Sequence, residues 1–178
     1  MHDQIRRIVL YSLSPVARLL ERPFVWPYFW PSLWPCLWPC LWMTVIFYFS
    51  TDRFSGVETS SRFEVLVNWV APWMEESSRV LLHLLWRKLG HVTEYAILAI
   101  LWLRAFEKSG GHVRQWPFRR RVAITLLLVA AYALFDEWHQ SLTATRTGSL
   151  RDSLLDVCGG ALGIALWNGR RWLKIFRN

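Results

Sequence analysis

The sequence is poor in cysteine and lacks the motifs of the commonest catalytic sites. Its only cysteines, Cys36, Cys40 and Cys158, form no CxxC pair and match no disulfide framework. Free thiols in such apolar surroundings are typical of small buried residues. An HExxH spacing, a Gly-x-Ser-x-Gly elbow and nucleic-acid-binding motifs are also missing. No zinc protease, serine hydrolase or nucleic-acid partner is therefore predicted.

Charge is also scarce, which excludes an ordinary soluble domain. Charged residues make up 19% of the 178 residues, whereas 53% are hydrophobic and 16% aromatic. The run from Pro23 to Thr51 has no charged side chain and exceeds the roughly 20 residues that a helix needs to cross a bilayer. We therefore expect an all-α integral membrane protein in contact with the lipid bilayer.

Hydropathy predicts four transmembrane helices in one membrane domain, residues 33–173. A cytoplasmic segment, residues 1–32, precedes it and contains the start of a Trp-Pro repeat. The apolar run there is long, broken by proline and without a small-residue cleavage site, so it predicts an uncleaved first span rather than a signal peptide. The predicted spans are about 33–50, 89–106, 122–142 and 150–167.

The repeat at residues 26–42 places proline at every fourth position. Each proline removes a helix donor and favours an extended tryptophan before it, so we expect a regular helix only from near Pro39. The remaining helix is too short to span alone, and tryptophan favours the membrane interface. The repeat is a low-complexity spacer or, alternatively, a binding element.

The distribution of basic residues predicts the orientation. Fourteen of the 21 Lys and Arg lie within 1–22, 104–121 and 170–177, and seven lie in the other segments. The positive-inside rule then places both termini in the cytoplasm. We expect the protein itself to lie in the inner membrane. The net charge of +8 is explained by this topology and by contact with anionic lipids.

Polar side chains form three clusters within the predicted spans. An ionised group at the bilayer centre costs about 2.5 to 3.5 kcal/mol on insertion scales, so such groups are functional candidates. Most are three or four residues apart and share a helix face. The clusters are His91, Glu94 and Tyr95 opening the second span; Asp136, Glu137, His139 and Gln140 closing the third; and Asp152 and Asp156 opening the fourth.

The predicted topology places all three clusters at one depth, on the outer side, where they can form a single pocket. Carboxylates and histidines there could perform acid/base chemistry on a polar group delivered from the lipid. Asp136 or Asp152 is the best candidate for a nucleophile. Catalysis is assigned to His91, Glu94, Asp136, Glu137, His139, Asp152 and Asp156, and substrate binding to Lys88, Tyr95, Gln140 and Arg146.

Two alternatives for the clusters stay open. Oxygen ligands with imidazole could hold a divalent metal ion, so the cofactor is left undetermined. Polar bonds between helices could also serve only to hold the bundle together.

Ser149 is a candidate cap for the fourth span, and Gly159, Gly160 and Gly163 predict close helix packing rather than a phosphate loop. The stretch Val80–Trp86 predicts an interfacial helix before the second span.

Five motifs follow one another along the chain. They are Phe47-Tyr48-Phe49-Ser50; Lys88, His91, Glu94 and Tyr95; Asp136-Glu137-x-His139-Gln140; Arg146-x-Gly148-Ser149-x-x-Asp152; and Asp156 with Gly160 and Gly163. Together they resemble the VanZ-like family of bacterial membrane proteins, over about Phe47–Gly163 without Asp52–Glu76. The resemblance implies a four-span inner-membrane protein but no reaction; the family's founding member gives low-level resistance to teicoplanin. Thr143-Ala144-Thr145 stands where members often have Pro-Gly, which predicts a less rigid loop.

The predicted function is a cell-envelope role that lowers glycopeptide susceptibility. In one version the outward-facing pocket modifies a lipid-linked or amphiphilic molecule. In a second it binds a lipid-tailed molecule, such as a lipoglycopeptide, without turnover. A third version is a structural membrane subunit. Four spans without an internal repeat argue against a transporter, and the sequence predicts no oligomeric state.

Overall fold

The protein is all-helical over the residues that the computed structural model describes, 33–142 and 148–175. The all-α prediction is therefore confirmed for these ranges. Arg146 and the first part of the Trp-Pro repeat lie outside them. The elements are 3₁₀ turns at Trp34–Cys36 and Asp52–Phe54 and six helices: α1 Leu37–Phe49, α2 Gly56–Val70, α3 Glu76–Lys108, α4 Gly111–Arg114, α5 Phe118–Ser141 and α6 Leu150–Ile175.

Helix α1 tolerates a proline because that proline lies in its first turn. Pro39 is the third residue of the helix and is buried. The first four N–H groups of a helix have no partner within it, so a missing donor costs nothing there. The helix begins at Leu37, close to the start that the sequence predicts.

Helix α2 was not predicted, although its start has a recognisable signal. The Ser55 side chain accepts a hydrogen bond from Glu58 N (3.4 Å), and Ser55-x-x-Glu58 is the spacing of a capping box. The helix ends at Val70, just before Ala71-Pro72, because a residue that precedes proline disfavours helical geometry.

Helix α3 is one continuous helix of 33 residues. At 1.5 Å per residue it is about 50 Å long, well beyond a bilayer core of about 30 Å. The stretch Val80–Trp86 is its N-terminal part and not the separate interfacial helix that we expected. Gly90 does not interrupt it, since a single glycine costs a helix only about 1 kcal/mol.

Of the helices in the described ranges, α3 alone is both long and apolar enough to cross a membrane, and Trp34–Phe49 is a shorter apolar helix. Helices α5 and α6 have 24 and 26 residues. Both are long enough, but each includes several charged residues at its ends. The hydropathy of the helices, with the bounds that the structure gives them, therefore supports one transmembrane span directly.

Helix α6 packs closely along α3 and α5, and its glycines make this possible. A Cβ atom at Gly159 would lie 2.7 Å from Val92 O, and one at Gly163 would lie 2.5 Å from Ala96 O. Both neighbours are backbone atoms of α3, which cannot move aside. The predicted role of these glycines in helix packing is confirmed. The core below this contact is formed by Ile46, Tyr95, Leu98, Ala99, Leu103, Val129, Tyr132, Ala133 and Ile164.

Candidate functional site

The three polar clusters meet at one end of the helix bundle. The end of α1, the end of α5 and the start of α6 lie beside the middle of α3, and side-chain contacts connect all four helices. The glycine contact between α3 and α6 lies directly beneath them. The described sequence-predicted residues therefore lie together at one end of the bundle, whereas Arg146 lies outside the described residues.

His91 and Asp156 form the central pair. His91 Nδ1 lies 3.5 Å from Asp156 Oδ1, and the Asp156 side chain is fully buried whereas that of His91 is 24% exposed. Within the described ranges, neither Asp156 oxygen nor His91 Nδ1 has a partner in hydrogen-bonding geometry. A carboxylate behind an accessible imidazole can orient the ring and stabilise its protonated form, which suits an acid/base group.

Asp136 is the second buried carboxylate, with 1% of its surface exposed. Its Oδ2 accepts hydrogen bonds from Gln140 Nε2 (2.9 Å) and from Tyr95 OH (3.4 Å). Gln140 also donates to Ser50 Oγ (3.2 Å) at the end of α1. These bonds connect three helices through one carboxylate, so Asp136 holds the site together.

Glu137 connects the end of α5 to the start of α6. Its Oε2 accepts a hydrogen bond of 2.6 Å from Ser149 N. Ser149 in turn accepts one from Arg151 N (3.3 Å), so the predicted helix cap is confirmed. Gly148 makes the approach possible, because a Cβ there would lie 2.5 Å from Glu137 O. Glu137 thus positions α6, since its carboxylate is bonded to the backbone.

Lys88 and Asp152 form an ion pair at the rim of the site. The Nζ–Oδ1 distance is 2.8 Å, and 57% and 41% of the two side chains are exposed. Exposed pairs of this kind contribute little to stability, about 0 to 1 kcal/mol. Either group is therefore accessible to a ligand that approaches from outside the bundle.

The remaining predicted residues lie on either side of the central pair. Glu94 faces a groove next to His91, and its backbone carbonyl accepts a hydrogen bond from Trp42 Nε1 (2.9 Å). The His139 ring packs on Phe47 with centroids 4.4 Å apart. His139 Nδ1 is buried without a hydrogen-bond partner among the described residues.

The site opens into a groove of about 500 Å³ between α2, α3 and the end of α1. This volume lies within the range of small-molecule sites, which is about 300 to 1,000 Å³. Gly90, His91 and Glu94 form the end of the groove that meets the polar cluster. His91 is thus the member of the central pair that a molecule in the groove can reach.

The described residues contain no group of three or more His, Cys, Asp and Glu side chains arranged to hold a metal ion. The predicted divalent-metal alternative has no geometric support within 33–142 and 148–175.

Three supporting residues were not predicted as part of the site. Ser50 binds Gln140, Trp42 binds the carbonyl of Glu94, and Tyr132 donates a hydrogen bond to Met43 O. Tyr132 could have been identified from the sequence, because Tyr132 lies four residues before Asp136 on the same helix face. The contacts of Trp42 and Ser50 depend on the rotation of α1, which sequence spacing does not specify.

The fold and the site define a helical protein with ionisable groups buried at one end of an apolar bundle. The VanZ/LLP1 family model matches residues 36–174. The chain belongs to this VanZ-like family, and the match is longer at both ends than the resemblance seen in the motifs. No curated protein and no solved structure matches the chain. Family membership and the apolar helix α3 together indicate a membrane protein.

Proposed function

We propose that the protein is a four-span inner-membrane protein whose outward-facing pocket acts on an amphiphilic molecule of the bacterial cell envelope and lowers glycopeptide susceptibility. The observation that carries this proposal is the His91–Asp156 pair, in which a buried carboxylate lies behind an imidazole that faces a groove. Family membership supports the resistance role.

Exposed apolar side chains on α1, α3, α5 and α6 support four spans. In a soluble bundle such side chains would turn inward, whereas lipid accepts them on the outer surface. The basic residues at the start of α5 and the end of α3 lie at the opposite end from the polar cluster, as expected for a cytoplasmic side. Examples are Trp38, Leu41 and Tyr48 on α1, Leu85 and Leu89 on α3, Leu127 and Leu134 on α5, and Leu154, Leu162 and Leu166 on α6.

In the proposed reaction His91 exchanges a proton with a polar group of a molecule held in the groove. Asp156 stabilises the imidazolium that forms, and its burial strengthens that interaction. General acid/base catalysis of this type contributes about 10²- to 10⁴-fold in rate. Lys88 and Asp152 at the rim can orient charged parts of the same molecule.

A binding function without turnover is the second candidate. The groove is mainly apolar, which suits retention of a lipid-tailed molecule as well as catalysis. A purely structural role is the third, and the bonds of Glu137 and Gln140 between helices would be its basis. These versions predict different behaviour when the central pair alone is changed.

The test is glycopeptide susceptibility in cells that lack the protein and are complemented with variants of equal membrane abundance. Asp156→Asn keeps the shape of the side chain and removes its charge, and the His91 ring can lose its proton in response, so no uncompensated buried charge has to remain. His91→Gln removes the proton exchange. Matched controls are Asp52→Asn and His112→Gln, because both residues are exposed and lie outside the cluster.

Susceptibility equal to that of cells lacking the protein, for both variants at normal abundance, is the expected result. The controls should protect as wild type does. If Asp156→Asn and His91→Gln protect fully, the pocket has no part in the function. If protection is lost only together with the protein, the cluster is structural. Binding without turnover would leave a purified lipid-tailed glycopeptide bound but chemically unchanged.

A further inference from the structure

The groove beside His91 is formed by two regular helix faces. On each helix its residues recur at intervals of three and four, the spacing of one face. The end of α1 closes the groove at Phe49 and Ser50, and Phe54 follows them. The α2 face consists of Thr59, Arg62, Phe63 and Leu66, and the α3 face of His83, Trp86, Arg87, Gly90, His91 and Glu94.

The two helices are held together by a few specific contacts. His83 Nε2 lies 3.1 Å from Thr59 Oγ1, and its ring packs on Phe63 with centroids 5.3 Å apart. A Cβ atom at Gly56 would lie 2.8 Å from Arg87 Nη1. The guanidinium of Arg87 therefore lies against the first turn of α2, where glycine leaves room for it.

Two positive charges line this groove. Within residues 33–142 and 148–175, neither Arg62 nor Arg87 forms a salt bridge with a carboxylate. Arg62 is exposed and Arg87 is half-buried. Guanidinium groups bind phosphate through paired N–H donors, which makes two of them in one groove suited to an anion.

The groove is mainly apolar, and exposed tryptophans follow its α2 face along the chain. Phe63, Leu66 and Trp86 form its wall. Beyond it, Trp69 and Trp73 are 85% and 81% exposed. Tryptophan at such exposure is typical of the membrane interface. A lipid chain could therefore enter from the bilayer side without crossing a polar barrier.

We propose that the groove binds a phosphate-bearing membrane lipid, with its phosphate between Arg62 and Arg87 and one hydrocarbon chain along the apolar wall. The inference rests on the proposed function and names the substrate class of the same site. Charge complementarity selects an anionic over a zwitterionic headgroup, and the apolar wall selects a lipid over free phosphate.

This placement brings the headgroup to the acid/base pair. Arg87 and His91 are one helix turn apart, so a group attached to the phosphate reaches the His91 ring. Glu94 lies seven residues beyond Arg87, about 10 Å along the axis, and does not oppose the anion directly.

The experiment measures lipid retention by the full-length protein in detergent, using native mass spectrometry. The probes are phosphatidylglycerol, phosphatidylcholine with the same chains, and inorganic phosphate as a competitor. One variant, Arg62→Gln/Arg87→Gln, removes both charges. Its control, Arg53→Gln/Arg151→Gln, removes two exposed arginines outside the groove.

A second variant fills the groove instead of changing its charge. Among the described residues, nothing lies within 4 Å of a Cβ atom at Gly90, and Gly90 lines the groove, so Gly90→Leu places a side chain in the space intended for lipid. A Cβ atom at Gly169, on α6, likewise has no described atom within 4 Å. Gly169→Leu is therefore the matched control, and leucine favours helix at both positions.

We expect wild type and both controls to retain phosphatidylglycerol at least about tenfold better than either groove variant. Phosphatidylcholine should be retained poorly by all of them. Equal retention by Gly90→Leu and Gly169→Leu would overturn the groove as the site. Equal retention of the two lipids would overturn recognition of the anion, and displacement of the lipid by inorganic phosphate would overturn the requirement for a chain.

The outcome is separable from that of the proposed function. Lipid retention is measured with His91 and Asp156 intact, whereas protection is tested with those two residues changed. If the groove variants lose lipid while His91→Gln still protects cells, the lipid site is supported and the proposed reaction is refuted. If the groove variants retain lipid while His91→Gln abolishes protection, the reaction is supported and the lipid site is refuted.

Discussion

A methyl group at Gly159 should separate the two halves of the central pair. The Cβ of Gly159→Ala would lie 2.7 Å from Val92 O and 2.9 Å from Val92 Cα. Ordinary contact begins at 3.4 Å, so α6 must move away from α3 by about 0.7 Å. Val92 follows His91 directly, and Asp156 lies one turn before Gly159. The His91–Asp156 distance of 3.5 Å should therefore increase beyond about 4 Å.

The cost of Gly159→Ala in stability can be estimated, and Gly169→Ala serves as its control. Forcing an extra methyl into a packed contact costs about 1 to 3 kcal/mol, while replacing a helical glycine by alanine gains up to about 1 kcal/mol. Gly169→Ala should show only the gain, because no atom of the part of the chain that the structure describes lies within 4 Å of its Cβ. Thermal unfolding in detergent measures both variants. If Gly159→Ala were as stable as Gly169→Ala, the close packing of α3 and α6 described above would be wrong.

Two further variants test the edges of the site. Glu137→Ala removes the acceptor of Ser149 N and should cost about 1.5 to 3 kcal/mol, measured by thermal unfolding; Glu137→Gln, which keeps an acceptor oxygen, should recover most of it, and equal losses would contradict a positioning role. Lys88→Ala removes an exposed ion pair with Asp152 and should change stability by less than about 1 kcal/mol; a larger loss in the same assay would mean that the pair is structural.

The convergence of the polar clusters could be predicted, because it depends only on the end of each predicted span at which the polar residues lie. His91 lies near the start of the second predicted span, Asp136 near the end of the third and Asp156 near the start of the fourth, and a bundle with alternating directions brings these positions together. The structure places His91 in the middle of α3 rather than at its start, because that helix already begins at Glu76. The glycine spacing predicted the close contact of α6 for a similarly local reason, since a small residue every fourth position makes one flat helix face.

The groove could not be predicted, because it depends on an element without a hydropathy signal. Helix α2 is amphipathic, with polar residues such as Glu64 and Asn68 among apolar ones, so it resembles neither a span nor a buried core helix. Its position depends on single contacts such as that between Thr59 and His83. Such contacts are set by tertiary packing, which periodicity does not describe.

The structure also distinguishes carboxylates that the sequence treated alike. Glu137 is bonded to a helix start and Asp136 accepts two side-chain donors, so both contribute to holding the bundle. Both oxygens of Asp156 are buried without a hydrogen bond from the described residues. A buried carboxylate in that state is costly, and packing alone gives no reason to keep it. Because His91 Nδ1 lies 3.5 Å from Asp156 Oδ1, the proposed acid/base role of this pair gives a reason to keep the carboxylate there.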